Sequence, residues 1–433
     1  MLACAIAALV YQNALDAPFI FDDRFTVLFN ASLTGTWDLK AILARNIARP
    51  VVNLSFAIDQ ALWGISSFGF HVTNTILHIT AVALFYGWCT RALSDARSPC
   101  SPEWPAFVAA AILAVHPLMS SAVMYVTARS ELLAAIGSFA CLIYARRAIV
   151  GGSAPAGVLA FACGAVAIGS SSSAAVLPFL VIAYDAWVLR GEGLWRRAAR
   201  YYAPAGFAVL TAAAVRTAQV LAADGFPPRG FFANLAGAGI VLTRYLGLLV
   251  FPRGLSLVHD TSGQHPAVGA VLLVAVAVLI AAAIRQRQAR PLIAFGACWF
   301  IGVLVPTTFV PVRDAMAEQR MYLAAAGVLL AAVSWLSSPL AGKVWARALA
   351  ACVIVALAAQ THARNKLWLD PMALWHQTAE RSEGSWLAHR ELAEVLRDAG
   401  LCDDAAVELR RAGELNPRLR HLPQWGGRCE APK

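Results

Sequence analysis

The sequence predicts an all-α membrane protein: a bundle of about eleven membrane-spanning helices with a large first outer loop and a small helical-repeat segment at the C-terminus. Hydrophobic residues make up 59% of the 433 residues and charged residues only 14%, against about 25% charged in soluble domains. The apolar residues form runs long enough to cross roughly 30 Å of hydrocarbon. Charge density rises, and the apolar runs stop, from Thr361 onward.

The apolar runs define the spans. The predicted spans are 2–15, 70–90, 105–119, 130–145, 155–169, 174–189, 203–221, 267–284, 291–306, 322–338 and 344–360. No basic residue precedes the first span, which argues against a cleaved signal peptide. A further apolar run, 235–251, is rich in glycine and broken by Arg244, so we predict an external or re-entrant helix there.

Basic residues predict the orientation of the bundle. The formal net charge of +10 is spread over short clusters between spans, rather than along one stripe typical of nucleic-acid binding. Cytoplasmic loops carry an excess of Lys and Arg. The clusters predicted to be cytoplasmic are Arg91/Arg97, Arg146/Arg147, Arg190/Arg196/Arg197/Arg200, Arg285/Arg287/Arg290 and Lys343/Arg347. The first loop (16–69), the turns 116–129 and 307–321, and the C-terminal tail are then predicted on the non-cytoplasmic face.

The C-terminal part is more charged than the rest and has no long apolar run, so we divide the chain into a membrane domain, 1–360, and a tail, 361–433. Residues 386–419 match one tetratricopeptide repeat. When Trp386 is counted as position one, eight residues fall on consensus positions: Leu392, Ala393, Leu396, Gly400, Ala405, Leu409, Ala412 and Pro417. One repeat cannot bury its own face, so a helix at 371–380 or a partner protein is expected to pack against it. Cys402 and Cys429 could pair in an oxidising compartment.

Ionisable residues near the predicted outer face form the candidate site, because such residues are costly at a membrane boundary and mark function. They are Asp22, Asp23, Arg49, His71, His78, His116, Arg129, Glu131, Glu318, Arg320 and Tyr322. Each has an alternative interpretation. The arginines can bind lipid headgroups, and the histidines can hydrogen-bond within the bundle. His71 and His78 lack the spacing of a helical metal pair.

The order of short segments resembles that of the C-type glycosyltransferase superfamily, specifically the transmembrane-and-tetratricopeptide-repeat protein O-mannosyltransferases and their bacterial relatives. The matching segments are FDDRF, RPVVNLSF, GFHVTNTILH, HPLMSSAV with ARSELLAA, AAVLPFLVIAYD, RYLGLLVFPRGLSL and AEQRMYLAAAG. The resemblance covers nearly the whole chain. It implies transfer of a mannose-type sugar from a polyprenyl-phosphate donor to Ser or Thr of exported proteins, on the outer face of a bacterial inner membrane.

Roles follow from the resemblance by position. The catalytic base is Asp22 or Asp23, and the other aspartate is expected to orient the loop. Arg129 and Glu131 match an Arg-x-Glu motif. Glu318, Arg320 and Tyr322 match Glu-Arg-Arg-x-Tyr-Leu, in which this chain has Gln319 as the middle residue. The remaining substrate-binding candidates are Arg49, His71 and His116. No cofactor is implied, and a divalent metal is left open.

Two departures from the family pattern keep a second hypothesis open. The chain has Ser120–Ser121 where the family has Thr-Glu, and Ser171–Ser172 where it has Lys-Glu. Two carboxylates and a lysine are therefore missing. The leading hypothesis is an inverting transferase that acts on exported proteins. A third interpretation differs from it only in the acceptor, which is then a lipid or a glycan. The alternative is a degenerate, non-catalytic membrane scaffold that docks a partner protein through the C-terminal repeat.

Overall fold

The computed structural model describes residues 1–34, 37–97, 101–190, 231–260, 265–308, 316–340 and 342–416, together with Arg197 and Gly206. Within these residues the secondary structure is helical and contains no strand, which confirms the all-α class. The helices are α1 (Leu2–Tyr11), α2 (Leu39–Arg45), α3 (Pro50–Trp63), α4 (Ser67–Asp95), α5 (Glu103–Val115), α6 (Ser120–Met124), α7 (Arg129–Gly151), α8 (Ala154–Ile168), α9 (Leu177–Ala183), α10 (Phe231–Val250), α11 (Pro266–Arg285), α12 (Pro291–Thr308), α13 (Met321–Leu340), α14 (Val344–Trp368), α15 (Pro371–Arg381), α16 (Trp386–Asp398) and α17 (Cys402–Leu415).

The described helices confirm a multi-pass membrane architecture. Seven helical segments are long and apolar enough to cross a bilayer: Ser67–Asp95, Val126–Gly151, Ser172–Leu189, Pro266–Arg285, Pro291–Thr308, Glu318–Ser337 and Val344–Trp368. Glu103–Val115 and Pro117–Met124 together would form an eighth, bent by 53°.

Three predicted segments correspond to apolar helices shorter than a full span: Leu2–Ala14, Ala154–Ile168 and Leu235–Val250. The predicted span 203–221 lies outside the described residues. The count of eleven spans, and an external or re-entrant placement of α10, therefore stay predictions.

An aromatic cluster joins three long helices at the centre of the bundle. Trp88 on α4 stacks on Phe139 of α7, with ring centroids 6.1 Å apart. Trp299 on α12 lies 5.1 Å from Trp88 between centroids. All three side chains are fully buried. Aromatic pairs of this kind contribute about 0.5–1.5 kcal/mol beyond their buried area, so the cluster fixes the helices whose ends carry the candidate site.

Polar contacts at one end of the bundle join segments that the sequence predicts to be cytoplasmic. Asp95 accepts hydrogen bonds from Arg146 at 2.6 Å and from Tyr184 at 2.7 Å. Arg190 donates to the carbonyl of Gln288. The basic segments around these residues therefore share an end. The first loop and the tail meet at the other end of the bundle.

The tail forms a three-helix unit that packs on the membrane domain. Helix α14 runs through the predicted domain boundary at 360 and ends at Trp368. The next three helices, α15 to α17, bury an apolar cluster of Trp375, Ala379, Leu387, Ala388, Leu392, Leu396 and Ala405. Val258 joins this cluster, and Phe21 of the first loop packs against it. Helix α15 occupies the position expected for the partner of the repeat.

The repeat assignment itself stays a prediction. The consensus positions Leu392, Ala393, Ala405 and Ala412 are buried, while Pro417 lies outside the described residues. Cys402 is disulfide-bonded, and Cys429 also lies outside the described residues.

Helices α10 and α11 meet through glycines. A Cβ atom on Gly239 would lie 2.1 Å from the carbonyl oxygen of Gly269, and one on Gly269 would lie 2.1 Å from that of Ala236. Small residues let membrane helices approach this closely, because packing rather than water exclusion drives their association. Gly237, on the same helix, faces open space.

We expect Gly239→Ala to separate α10 from α11 and to lower the midpoint of thermal unfolding by several degrees, because overpacking costs about 1–3 kcal/mol. The matched control is Gly237→Ala, which should keep or raise the midpoint, since alanine favours helix by about 1 kcal/mol over glycine. The measurement is thermal unfolding of the purified variants in detergent. Equal midpoints would contradict the close contact.

Candidate active site

Asp23 is buried, and its side chain connects the first loop to the turn 116–129. Its side chain is 0% exposed. One carboxylate oxygen accepts from the backbone N–H of Thr127 at 2.7 Å and from the Thr127 hydroxyl at 2.6 Å. The other oxygen accepts from the N–H of Ile20 at 3.2 Å. The carboxylate is thus committed to three donors and holds the two segments together.

Asp22 differs from its neighbour because its side chain is exposed. The preceding residue, Phe21, adopts φ +50°, which is uncommon outside glycine and is found where function holds the backbone strained. The Phe21 ring packs 5.5 Å from that of Trp375 in the tail and 6.1 Å from that of Tyr125. This turn therefore buries Asp23 and leaves Asp22 exposed on the surface of the protein.

Burial of Asp23 raises the pKa of its carboxyl group to about 7, although the donors from Thr127 and Ile20 oppose the shift. Desolvation disfavours the charged carboxylate, whereas hydrogen bonds to it favour the charged form. Here the desolvation prevails. The folded state consequently favours the protonated acid over a pH range in which the unfolded chain is ionised.

Arg129 is fully buried in a polar cage between loop and bundle. Its guanidinium pairs with Asp59 of α3 at 2.5 Å, and its Nε donates to Asn74 of α4 at 2.6 Å. It also donates to the carbonyl of Phe70 at 3.1 Å and lies 4.8 Å from the ring centroid of Phe56. The guanidinium has no exposed surface, so in this structure it anchors α3 to α4 and α7 and offers no face to a substrate.

A second cluster is centred on Glu131, whose side chain is buried. One of its oxygens accepts from the Ser171 hydroxyl at 2.8 Å, and the other has no hydrogen-bond partner among the described residues. The charges of Arg49 and Arg320 both act on Glu131. Both arginines are half-buried, so this cluster has cations at its accessible edge.

Glu318 lies in the short 3₁₀ turn Glu318–Arg320 and is held on all sides. It accepts from Arg364 of α14 at 2.9 Å, from the Ser256 N–H at 2.5 Å and from His259 at 3.1 Å. Arg364 also donates to the Ser120 hydroxyl at 2.9 Å. Glu318 therefore fixes the turn that carries Arg320, and its carboxylate is almost fully buried.

The aromatic and histidine candidates have local partners or are buried. The Tyr322 hydroxyl bonds to His78 at 2.7 Å, and Tyr322 is fully buried. His116 contacts the Leu249 carbonyl at 2.9 Å and accepts from the Leu118 N–H at 3.2 Å. His71 is buried, and neither of its ring nitrogens has a hydrogen-bond partner among the described residues. Tyr322, His78 and His116 therefore stabilise the wall of the site through these hydrogen bonds, whereas His71 adds no such bond within the described residues.

The tail contacts both the first loop and the segment that follows α10, whose Ser256 and His259 bond to Glu318. Arg24 pairs with Glu394 at 3.4 Å and with Asp398 at 3.3 Å. The Ser382 hydroxyl donates to the Val258 carbonyl at 2.6 Å. The structure thus brings four segments to one end of the bundle: the turn that carries Asp22 and Asp23, the turn 116–129, the Glu318–Arg320 turn and the tail.

Sequence reasoning missed three of the residues that organise this end: Asp59, Asn74 and Arg364. Asn74 lies within the segment GFHVTNTILH, and Asp59 follows RPVVNLSF by three residues. Their polar character in apolar surroundings was the available signal. Arg364 follows the last apolar run and was counted with the charged tail. Its burial depends on the approach of Glu318 and Ser120 from distant parts of the chain.

Comparison with known proteins places the chain beside protein O-mannosyl-transferases. It is 29% identical to protein O-mannosyl-transferase Tmtc2 of Drosophila melanogaster over 150 residues, 31% of this chain and 15% of that protein. It is 28% identical to protein O-mannosyl-transferase TMTC3 of Mus musculus over 148 residues, 31% of this chain and 15% of that protein. A Caenorhabditis elegans protein O-mannosyl-transferase is 30% identical over 158 residues, 33% of this chain and 22% of that protein.

These relatives confirm the resemblance expected from the sequence. The chain covers between 15% and 22% of the length of these three relatives. No family model matches the chain, and no solved structure matches it.

We expect the midpoint of thermal unfolding of the wild type, minus that of Asp23→Asn, to decrease as pH rises from about 5 to about 7. The raised pKa of Asp23 means that the protonated carboxyl contributes stability fully below the ordinary value of about 4. That contribution is lost as pH rises through the folded-state value. The exposed Asp403→Asn, in the tail and away from Asp23, serves as the control and should leave the slope of the wild type unchanged. A pH-independent difference for Asp23→Asn would refute the assignment.

We expect Arg129→Met to lower stability by about 3–5 kcal/mol, because Asp59 is left buried without its cation. Adding Asp59→Leu should recover part of the loss. The control is Arg411→Met, whose exposed pair with Glu383 spans 3.9 Å and should contribute about 0–1 kcal/mol. Chemical denaturation in detergent measures all three variants. Similar losses for Arg129→Met and Arg411→Met would contradict the structural role.

Proposed function

We propose that the chain is an inverting membrane glycosyltransferase that moves a mannose-type sugar from a polyprenyl-phosphate donor to Ser or Thr hydroxyls of exported proteins. The observation that carries the proposal is the meeting of an exposed aspartate, a pair of arginines and a helical tail at one end of the bundle. Similarity to protein O-mannosyl-transferases supports the choice of sugar and acceptor. The reaction then belongs on the non-cytoplasmic face.

Asp22 is the proposed base, because it is exposed while Asp23 is buried and bonded to three donors. The acceptor hydroxyl oxygen attacks the anomeric carbon of the donor sugar, and Asp22 takes the hydroxyl proton as the new bond forms. The bond between the anomeric carbon and the phosphate oxygen breaks, and polyprenyl phosphate leaves with the electron pair. A single displacement of this kind inverts the anomeric centre. Asp23 positions the turn.

Arg49 and Arg320 are proposed to stabilise the departing phosphate. Negative charge grows on the phosphate as the sugar leaves, and arginine meets such an oxyanion with paired, charge-assisted hydrogen bonds. Both side chains lie near Glu131, whose carboxylate is well placed to orient them. A lipid-linked donor also suits a site at the membrane boundary, since the prenyl chain can stay in the bilayer.

One serine of each pair has a charged hydrogen-bond partner, Ser171 at a position where the family has lysine and Ser120 at one where it has threonine. Ser171 donates to Glu131 at 2.8 Å, in the position where the family has lysine. Ser120 receives the Arg364 guanidinium at 2.9 Å. Losing both members of the Lys-Glu pair leaves no unpaired charge behind. These contacts favour a retained, altered site over a collapsed one.

The alternative is a non-catalytic scaffold. The observation that favours it is Ser121, where the family has glutamate: its hydroxyl is buried and reaches only the Leu118 carbonyl, at 3.5 Å. A scaffold would co-purify with a partner in fixed stoichiometry and would show no transfer with any polyprenyl-phosphate sugar.

The test is transfer from a polyprenyl-phosphate mannose to a Ser/Thr-rich peptide by the purified chain. We expect Asp22→Asn to reduce turnover by about 10²–10⁴, the usual contribution of a positioned base, with an unchanged thermal midpoint. The matched control is Asp403→Asn, since Asp403–Asp404 is a second, exposed aspartate pair. Full turnover by Asp22→Asn would exclude the proposed base.

A further inference from the structure

A groove of about 530 Å³ lies between the beginnings of α1 and α5 and the second half of α4. Helix α4 begins beside the first loop at Ser67, and α5 leads into the turn 116–129. Both of those ends belong to the candidate active site. The groove lies at the opposite end of α5 and in the half of α4 that leads to Asp95. It is therefore separate from the candidate active site.

The walls of the groove are mostly apolar and come from three helices. They include Leu2 of α1, Val82 and Ala83 of α4, and Trp104 and Phe107 of α5. Leu2, Ala83 and Trp104 are exposed on the protein surface, so the groove is open to its surroundings. Because α4 is long and apolar enough to cross a bilayer, the surroundings at this depth are hydrocarbon. An open apolar groove in this position suits the acyl chain of a lipid.

The polar groups of the groove lie at the beginning of α5. Glu103, in the first turn of this helix, and Ser101 line the groove there. The Ser101 hydroxyl donates to the Glu103 carboxylate. The Glu103 side chain is exposed, and no cationic group of the described residues lies within 4.0 Å of its carboxylate oxygens. This carboxylate is therefore available to a cationic group of a ligand.

An arginine lies close to this carboxylate. The Arg347 guanidinium of α14 lies 5.7 Å from the ring centroid of Trp104, the residue that follows Glu103. Arg347 is exposed and has no carboxylate within 4.0 Å among the described residues. A carboxylate and a guanidinium, each without a counter-ion, are thus both next to the Trp104 ring. These opposite charges suit a headgroup that carries an ammonium for Glu103 and a phosphate for Arg347.

The two charges also discriminate between headgroups. A purely anionic headgroup would place negative charge beside Glu103 without a compensating cation. A quaternary ammonium has no N–H to donate to the carboxylate. A primary ammonium supplies both the positive charge and the hydrogen bonds, and hydrogen bonds between ionised groups are about twice as strong as neutral ones. Phospholipids with an ethanolamine headgroup combine this ammonium with a phosphate.

We propose that the groove binds one phosphatidylethanolamine molecule, with its ammonium on Glu103 and its phosphate on Arg347. One acyl chain lies along the apolar walls formed by Val82, Ala83 and Phe107. The lipid then covers the surface where α1, α4 and α5 meet and connects α5 to the beginning of α14. This site does not depend on the proposed sugar transfer.

The test is titration of the full chain in detergent with phosphatidylethanolamine and with phosphatidylglycerol of the same acyl chains, with bound lipid counted by native mass spectrometry. Wild type should bind phosphatidylethanolamine more tightly. Glu103→Gln should weaken that binding about tenfold, the value of one charge-assisted hydrogen bond, and should not weaken phosphatidylglycerol. Arg347→Gln should weaken both lipids. The matched control is Arg287→Gln, an exposed arginine between α11 and α12, which should change neither.

A second pair of variants tests the place of the acyl chain. Ala83→Trp should fill the groove and abolish binding of both lipids, because Ala83 lines the groove and is exposed. The matched control is Ile76→Trp, at a position of the same helix that is 56% exposed and lies outside the groove lining. Equal affinities of wild type for the two lipids would overturn the proposal. A preference that survives Glu103→Gln, or unchanged binding by Ala83→Trp, would do the same.

Discussion

The end of the bundle where the first loop and the tail meet depends on one constraint: a buried charge must be paired. Arg129 meets it with Asp59 at 2.5 Å, and Arg364 meets it with Glu318 at 2.9 Å. Each pair joins a loop or turn to a long helix. Removing one partner from such a pair is far more costly than removing both. The pairs therefore hold the first loop and the Glu318–Arg320 turn in fixed positions, and the accessible groups, Asp22 and Arg320, are carried on these supports.

The helical class and most long helices could be predicted, because apolar length and the scarcity of charge are local properties of the chain. The identity of the candidate segments could also be predicted, from their order. Which residues of these segments are accessible and which are buried supports of the fold could not be predicted. Asp59 and Arg129, or Glu318 and Arg364, are far apart in sequence, and only the packed bundle decides which charge is covered. For the same reason the sequence left Asp22 and Asp23 equivalent, whereas the fold buries one and exposes the other.

Serine in place of charged residues changes which ligands the site can bind, but it does not disrupt the hydrogen bonds that support the site. The Ser171 hydroxyl satisfies one oxygen of Glu131, so the carboxylate remains partly bonded beside Arg49 and Arg320. Ser120, where the family has threonine, keeps a hydroxyl that accepts from Arg364. In both places a neutral hydroxyl meets an ion that has another charged neighbour. The net effect is a site with fewer carboxylates and its arginines retained, a balance that favours anionic ligands.

The exposed apolar side chains of the first loop suggest where those anions come from. Trp37, Ile47, Leu62 and Trp63 are each more than 40% exposed, although this loop directly precedes α4, the first described helix long enough to cross a bilayer. Water would disfavour such a surface, whereas the headgroup region accepts aromatic and aliphatic side chains next to arginine. If the first loop lies in that region, it presents Arg49 at the depth of lipid phosphates, and the proposed lipid-linked donor reaches Arg49 from the bilayer rather than from bulk water.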